Sequence, residues 1–371
     1  MMNTFGLYFS SIMIVQWTAA KDEIPSILVW TEFFESQILH THLKSRLVAE
    51  NCPKECNFVP RSQTLRETDF DAIIFHSRDM KFSDLPRSRN TNQLYFLFSL
   101  EAPGSRGENL FSKFPPNFFN GTIGYSQLNN YTFNYDYPIL IEPKLTEEFV
   151  RSKTSSVLGI ISNCYSESGR EVVIDSLEEH MSLTLRGNCY DEKISDYELK
   201  MLIKSHRFIL ALENKRCPEY VTEKGFRYKE LIVPIVFSRR FAENALPSDS
   251  FIAIDDFNST AELKEYLDRL QKDDEEYMKY FAWIKRPEYR EVRSKGICKL
   301  CTDLHTSPRS LHPPLYRAAF PDDNMCILYP QRSRFTVTLV ILFSIALLVI
   351  GSRLLFITYR YCQRYRNYEI V

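Results

Sequence analysis

Short, largely apolar runs alternate along this chain with stretches of helical length and amphipathic pattern. The second half shows it most cleanly. An apolar run at Val157–Ile161 leads into a helical stretch across Glu167–Met181, then a run near Leu183–Leu185 and a helix around Tyr197–Ser205. Phe208–Leu212, a further helix and Val233–Phe237 continue the series. In the first half Ile27–Trp30, Ala72–Phe75 and Leu94–Leu100 have the same character. A strand that is apolar at every position has both faces buried, and parallel sheets covered by helices on both sides provide that environment. The chain is therefore expected to be α/β. Between its apolar ends lie roughly 310 residues, too many for one typical core and enough for two domains. We place these at residues 21–150 and 151–302. Ala261–Trp283 reads as one long amphipathic helix whose charges from Lys272 to Glu276 form a solvated face. No internal repeat or low-complexity tract interrupts the scheme.

The two ends have a different character. Phe5–Trp17 is an uncharged apolar run followed by Thr18-Ala19-Ala20, the pattern of a signal peptide over residues 1–20. Phe335–Ser352 carries no charge, and the run extends to residue 357 if Arg353 reaches the interface, giving a transmembrane helix over 335–357. Arginines crowd its C-terminal side, so residues 358–371 are expected in the cytosol and the bulk of the chain in the lumen. Residues 303–334, rich in Pro, Ser and Arg, read as the linker to that helix. Asn120, Asn130 and Asn258 each open an N-x-S/T sequon, and eight of the nine cysteines would be lumenal, an even number suited to disulfides. A net charge of −1 gives no reason to expect nucleic acid as a partner.

The stretch FILALENKRCPEYVTEK, Phe208–Lys224, carries the densest chemical signal. An apolar strand ends at Glu213 and Asn214, and Pro218 is placed to open a helix. Tyr220, Glu223 and Lys224 would then share one helical face near its N-terminus, where backbone N–H groups favour an anion such as a nucleotide diphosphate. Arg170 lies between a strand and the first turn of a helix in ISNCYSESGRE and is a second candidate for phosphate. Glu101 ends the apolar strand Tyr95–Leu100 and precedes a Pro-Gly turn, so it is expected at the ligand-binding edge of a sheet. Asp69-Phe70-Asp71 has the form of a metal-binding D-x-D, but its strand follows it, which puts the carboxylates at the wrong strand end. Cys298 and Cys301 form a C-x-x-C without a second pair or histidines to complete a zinc quartet, so disulfides are expected there.

Phe208, Leu210, Ala211, Glu213, Asn214, Tyr220, Thr222, Glu223 and Lys224 together resemble the donor-binding motif of the α1,3-fucosyltransferases, glycosyltransferase family ten. Leu212, Lys215 and Glu219 depart from it. The resemblance covers about residues 25–302 and implies a GT-B-like fold of two Rossmann-like domains, an acceptor-side first and a GDP-fucose-binding second. It implies Glu101 as the catalytic base, from an E-S-P element in which Ala102 replaces the Ser, and Arg170, Asn214, Tyr220, Glu223 and Lys224 as donor contacts. It also implies that Cys298 and Cys301 pair with Cys52 and Cys56. Cys164, Cys189, Cys217 and Cys326 remain without an assigned partner. The expected activity is inverting transfer of L-fucose from GDP-fucose to a glycan hydroxyl in α1,3 linkage, without a metal cofactor, at a Golgi or endoplasmic reticulum membrane. ALENKRCPEYVTEK and the stretch from Ile254 to Trp283 resemble a divergent branch that fucosylates Ser or Thr of EMI-type protein domains, the second reading. A third is a membrane-anchored, lectin-like or scaffolding protein without activity.

Overall fold

The structure is a computed structural model, and it describes residues 23–102, 114–115, 117–139, 145–306, 326–327 and 350–356. The signal peptide expected over 1–20, most of the linker expected over 303–334, most of the transmembrane segment expected over 335–357 and the tail expected over 358–371 lie outside these residues. Among the described residues no helix is long and apolar enough to cross a membrane.

The described chain forms two compact units. The first holds a six-stranded sheet in the order β2-β1-β3-β4-β5-β6. Its strands are β1 (Ser26–Val29), β2 (Asn57–Pro60), β3 (Ala72–His76), β4 (Leu94–Ser99), β5 (Gly121–Gly124) and β6 (Tyr131–Thr132). All neighbours are parallel, in registers such as Ile27↔Ala72 and Ile73↔Tyr95. Every residue of β3 and β4 is buried, as continuous apolar runs require. Helix α1 (Leu39–Ala49) connects β1 to β2.

The second unit has a five-stranded parallel sheet in the order β11-β10-β9-β7-β8. Its strands are β7 (Ser155–Ile160), β8 (Leu183–Arg186), β9 (His206–Leu210), β10 (Val233–Val236) and β11 (Ile252–Ala253). The helices of this unit are α2 (Glu147–Ser152), α3 (Arg170–Glu178), α4 (Asp196–Ser205), α5 (Glu223–Phe226), α6 (Arg239–Ala242), α7 (Thr260–Lys272) and α8 (Asp274–Met278). Ser195 starts α4 with a full capping box: its hydroxyl accepts from the Glu198 N–H while the Glu198 carboxylate accepts from the Ser195 N–H.

The long helix expected over Ala261–Trp283 is broken. Asp273 adopts an extended backbone (φ −115°, ψ 96°) and caps a new helix by accepting from the Glu276 N–H. A 3₁₀ segment, Lys279–Lys285, follows and buries Phe281 and Trp283. An aspartate caps a helix more readily than it sits inside one, and here that preference overrides continuous amphipathic periodicity.

Helix α9 (Gly296–Thr306) groups with the first unit. A Cβ on Gly296 would collide with the backbone of Thr132, so only glycine lets the start of α9 lie against β6. The Glu50 carboxylate accepts from the Cys298 N–H at 2.7 Å and from Ile297 at 3.4 Å, satisfying donors of the α9 N-terminus. The Cys52–Cys298 and Cys56–Cys301 disulfides bind α9 to the end of α1 and the start of β2. Both bonds lie inside the first unit. Two further bonds, Cys164–Cys189 and Cys217–Cys326, lie in the second.

Candidate functional site

Strand order fixes where ligands go. In the second sheet the connection from β7 leads outward to β8, whereas the connection from β9 leads the other way, to β10. β7 and β9 are neighbours, so the loops after them diverge and open a crevice at the carboxyl edge of the sheet, the position where open α/β sheets bind ligands. Arg170 follows β7. Asn214, Tyr220, Glu223 and Lys224 follow β9. All five fall on these two loops or the helix starts they lead into.

The two loops are fastened to each other. The Arg170 guanidinium is buried and donates to the Leu212 carbonyl at 3.0 Å and to the Asn163 carbonyl at 2.5 Å. The Ser168 N–H donates to the Asn214 carbonyl at 3.1 Å, and Lys215 pairs with Glu167 at 3.0 Å. Desolvation holds the Arg170 pKa below its ordinary value, against the pull of Glu171 and Glu213. Arg170 is therefore first a strut between the loops, and its remaining N–H donors are what it can offer a ligand.

Glu213 is the hub of the β9 loop. Its buried carboxylate accepts from the Thr222 N–H (2.8 Å), from the Thr222 hydroxyl (2.9 Å) and from Lys224 Nζ (3.4 Å). Lys224 Nζ also donates to Thr222 Oγ1 at 2.8 Å and to Glu223 at 3.1 Å. Burial raises the Glu213 carboxyl, opposed by Lys224. Desolvation works against the Lys224 charge, but the carboxylates of Glu213 and Glu223 outweigh it and raise the pKa. A positive charge is thus held at the crevice on a side chain 25% exposed. Sequence reading left Glu213 and Thr222 out of the site residues, although both belong to the recognised motif; what it lacked was the contact that closes the loop between them.

Tyr220 does not lie on a helix. Helix α5 begins at Glu223 with Thr222 as N-cap and spans only Glu223–Phe226. The preceding chain turns back through Glu219 at φ 60°, and the Tyr220 N–H donates to the Cys217 carbonyl at 3.2 Å. The bonds from Thr222 to Glu213 close a loop between residues 213 and 222, and a helix opened by Pro218 would break it. The shared helical face expected for Tyr220, Glu223 and Lys224 is replaced by this loop.

In the first sheet the order reverses between β1 and β3. At that edge lies a cleft of about 500 Å³ lined by Trp30, Thr31, Glu32, Arg61, Arg78 and Asp79, among others. Arg61 stacks on Trp30 at 3.8 Å and forms a two-pronged ion pair with Asp84 at 2.6 and 2.8 Å. Glu101 follows β4, next to β3, at the same sheet edge and half-buried. Asp69 and Asp71 sit at the opposite edge: the Asp71 carboxylate accepts from the Ser26 N–H at 2.8 Å, and Asp69 pairs with Arg66. The sequons are exposed at Asn130 and Asn258 and half-buried at Asn120, whose side chain accepts from the Tyr95 N–H and from Arg89.

Two parallel doubly wound sheets, each with polar side chains gathered at its switch point, define a two-unit α/β protein with ligand-accessible sheet edges. Comparison with known proteins narrows the class. The fucosyltransferase N-terminal model matches residues 22–136, and the glycosyltransferase family 10 (fucosyltransferase) C-terminal model matches residues 150–316. The chain belongs to glycosyltransferase family 10. It is 30% identical over 297 residues to the human 4-galactosyl-N-acetylglucosaminide 3-alpha-L-fucosyltransferase FUT6, covering 77% of this chain and 80% of that one. It is also 30% identical over 284 residues to the alpha-(1,3)-fucosyltransferase fut-1 of Caenorhabditis elegans, covering 70% of this chain and 63% of the relative. A crystal structure of an alpha1,3-fucosyltransferase with GDP shares the fold, with a TM-score of 0.53, 17% identity and coverage of 79% of this chain and 94% of that one.

Proposed function

We propose that this protein transfers L-fucose from GDP-fucose to a glycan hydroxyl in α1,3 linkage, with inversion, in the secretory pathway. The observation that carries the reading is the fastening of Arg170, Glu213, Thr222 and Lys224 at the switch point of the second sheet, in a chain of this family. In this reading the diphosphate meets the exposed side of the Lys224 ammonium and the uncommitted N–H groups of Arg170. Asn214, Tyr220 and Glu223 contact the sugar nucleotide. As the bond from fucose C1 to the diphosphate oxygen breaks, these cations stabilise the leaving charge, so no metal is needed. Glu101, from the acceptor-side unit, takes the proton of the attacking hydroxyl. The cleft at the first sheet's switch point, with its aromatic and charged walls, supports that unit as the acceptor side.

The test is release of GDP by the full-length chain given GDP-fucose and a galactosyl-N-acetylglucosaminide, with EDTA present. Transfer in EDTA is expected. Glu101→Gln should lower kcat by about 10²-fold or more with GDP affinity nearly unchanged, and Lys224→Ala should weaken GDP binding by about tenfold. Absence of GDP release and of GDP binding would exclude the donor reading. Transfer to an EMI-type protein domain with none to the glycan would move the acceptor to a Ser or Thr hydroxyl.

A further inference from the structure

The turn that presents Tyr220 is anchored from outside the sheet. Cys217, its first residue, is buried and disulfide-bonded to Cys326, which is also buried and lies 109 residues further along the chain. The attachment has a second point. Arg216 and Ile327 form an isolated antiparallel bridge in which the Ile327 N–H donates to the Arg216 carbonyl at 2.8 Å. The Arg216 guanidinium stacks on Phe237, just past the end of β10, at 4.0 Å. Cys326 and Ile327 therefore make a two-residue strap that docks backbone to backbone on the donor loop.

The turn needs such an anchor. Glu219 is held in the left-handed region at φ 60°, which costs a residue with a Cβ about 1–2 kcal/mol. That conformation persists only where both ends of the turn are fixed. Beyond the turn, the buried Thr222–Glu213 contact fixes the chain; before it, Asn214 and Lys215 are tied to the β7 loop and the strap fixes Cys217 itself. Between them Tyr220 is almost wholly buried. Releasing Cys217 would let Glu219 relax toward negative φ, which swings Tyr220 and loosens the approach to Thr222 and Lys224.

We propose that Cys217, Cys326 and Ile327 are positioning residues for the sugar-nucleotide site: the strap pre-forms the loop carrying Tyr220 and Lys224, and donor affinity depends on it. The inference rests on the donor reading of the β9 loop given above. Its test uses the full-length chain in detergent, with GDP affinity by calorimetry and KM and kcat for GDP-fucose. Cys217→Ser combined with Cys326→Ser should raise both the GDP dissociation constant and KM by about tenfold while kcat changes less than about threefold, because loop ordering is charged to binding. Ile327→Pro keeps the disulfide, deletes the N–H that bonds Arg216, and should raise KM by about threefold; it also serves if the double variant fails to fold. Cys52→Ser with Cys298→Ser, in the first unit, should lower thermal stability and leave GDP affinity unchanged. GDP affinity within twofold of wild type in a folded strap variant would overturn the proposal. Failure of the wild-type protein to bind GDP would instead remove the donor reading, and the strap's role with it.

Discussion

At the scale of the residue, buried charge does the structural work in the second unit. Lys153 is 1% exposed, and its ammonium donates to the carbonyls of Ile203 at 2.8 Å and His206 at 2.9 Å, where α4 ends. A cation suits the carbonyl end of a helix. Desolvation, with a smaller push from Arg207, nevertheless lowers its pKa to about 7. In the unfolded chain the same group titrates near 10.4. Between these values the unfolded state binds more protons than the native one, so this group makes stability rise with pH from about 7 upward and contributes no slope below. Lys153→Met should remove that slope. Relative to the variant, wild type should gain roughly 1 kcal/mol per pH unit between pH 7 and 9 in urea titrations, and an unchanged slope would contradict the assignment. Nearby, Arg207 pairs with Asp274 at 2.6 Å.

At the scale of the element, sequence periodicity located strands better than helix ends. β3, β4, β7, β9 and β10 were legible from the apolar run each contains, although β7 opens on Ser155-Ser156 and β9 on His206-Arg207. β5 was not. It begins and ends in glycine, and a Cβ on Gly121 would strike the ring of Phe96 on β4. Its identity as a strand comes from that neighbour and not from its own side chains. Helix α5 shows the converse error: nine motif residues were recognised, yet the helix begins at Glu223 because Glu213, reaching across the loop, engages Thr222. Gly225 marks how tightly α5 is seated, since a Cβ there would overlap Val221 and lie 3.3 Å from Leu246. In an exposed helix Gly→Ala stabilises, but here overpacking should dominate. Gly225→Ala is expected to cost about 1–3 kcal/mol in chemical denaturation and to weaken GDP binding. A gain in stability would show α5 to be less constrained than its contacts imply.

At the scale of the whole molecule, the chain does not divide where its linear order suggests. Residues 291–306 leave the second unit's stretch of sequence and complete the first, where α9 lies against β6 and buried Glu50 serves its N-terminus. The Cys52–Cys298 bond closes a separation of 246 residues. Cys56–Cys301 closes nearly the same span, so removing the first bond alone frees only a short inner loop, and Cys52→Ser with Cys298→Ser should cost about 2–3 kcal/mol, read as a lowered unfolding midpoint. A loss below about 1 kcal/mol would show that α9 is held by packing alone.

By itself the sequence determined the α/β class, the apolar runs of both sheets, the residues of the family motif and an even set of eight cysteines ahead of the C-terminal apolar run. These are properties of short windows, where periodicity, residue chemistry and spacing act along the chain. Only the tertiary structure decided that Tyr220 sits on a strained turn, that Arg170 braces two loops, that α9 joins the first unit and that Cys217 meets Cys326. Each of those depends on groups distant in sequence meeting at a sheet edge. Strand order and long-range packing set such meetings, and no local pattern encodes them.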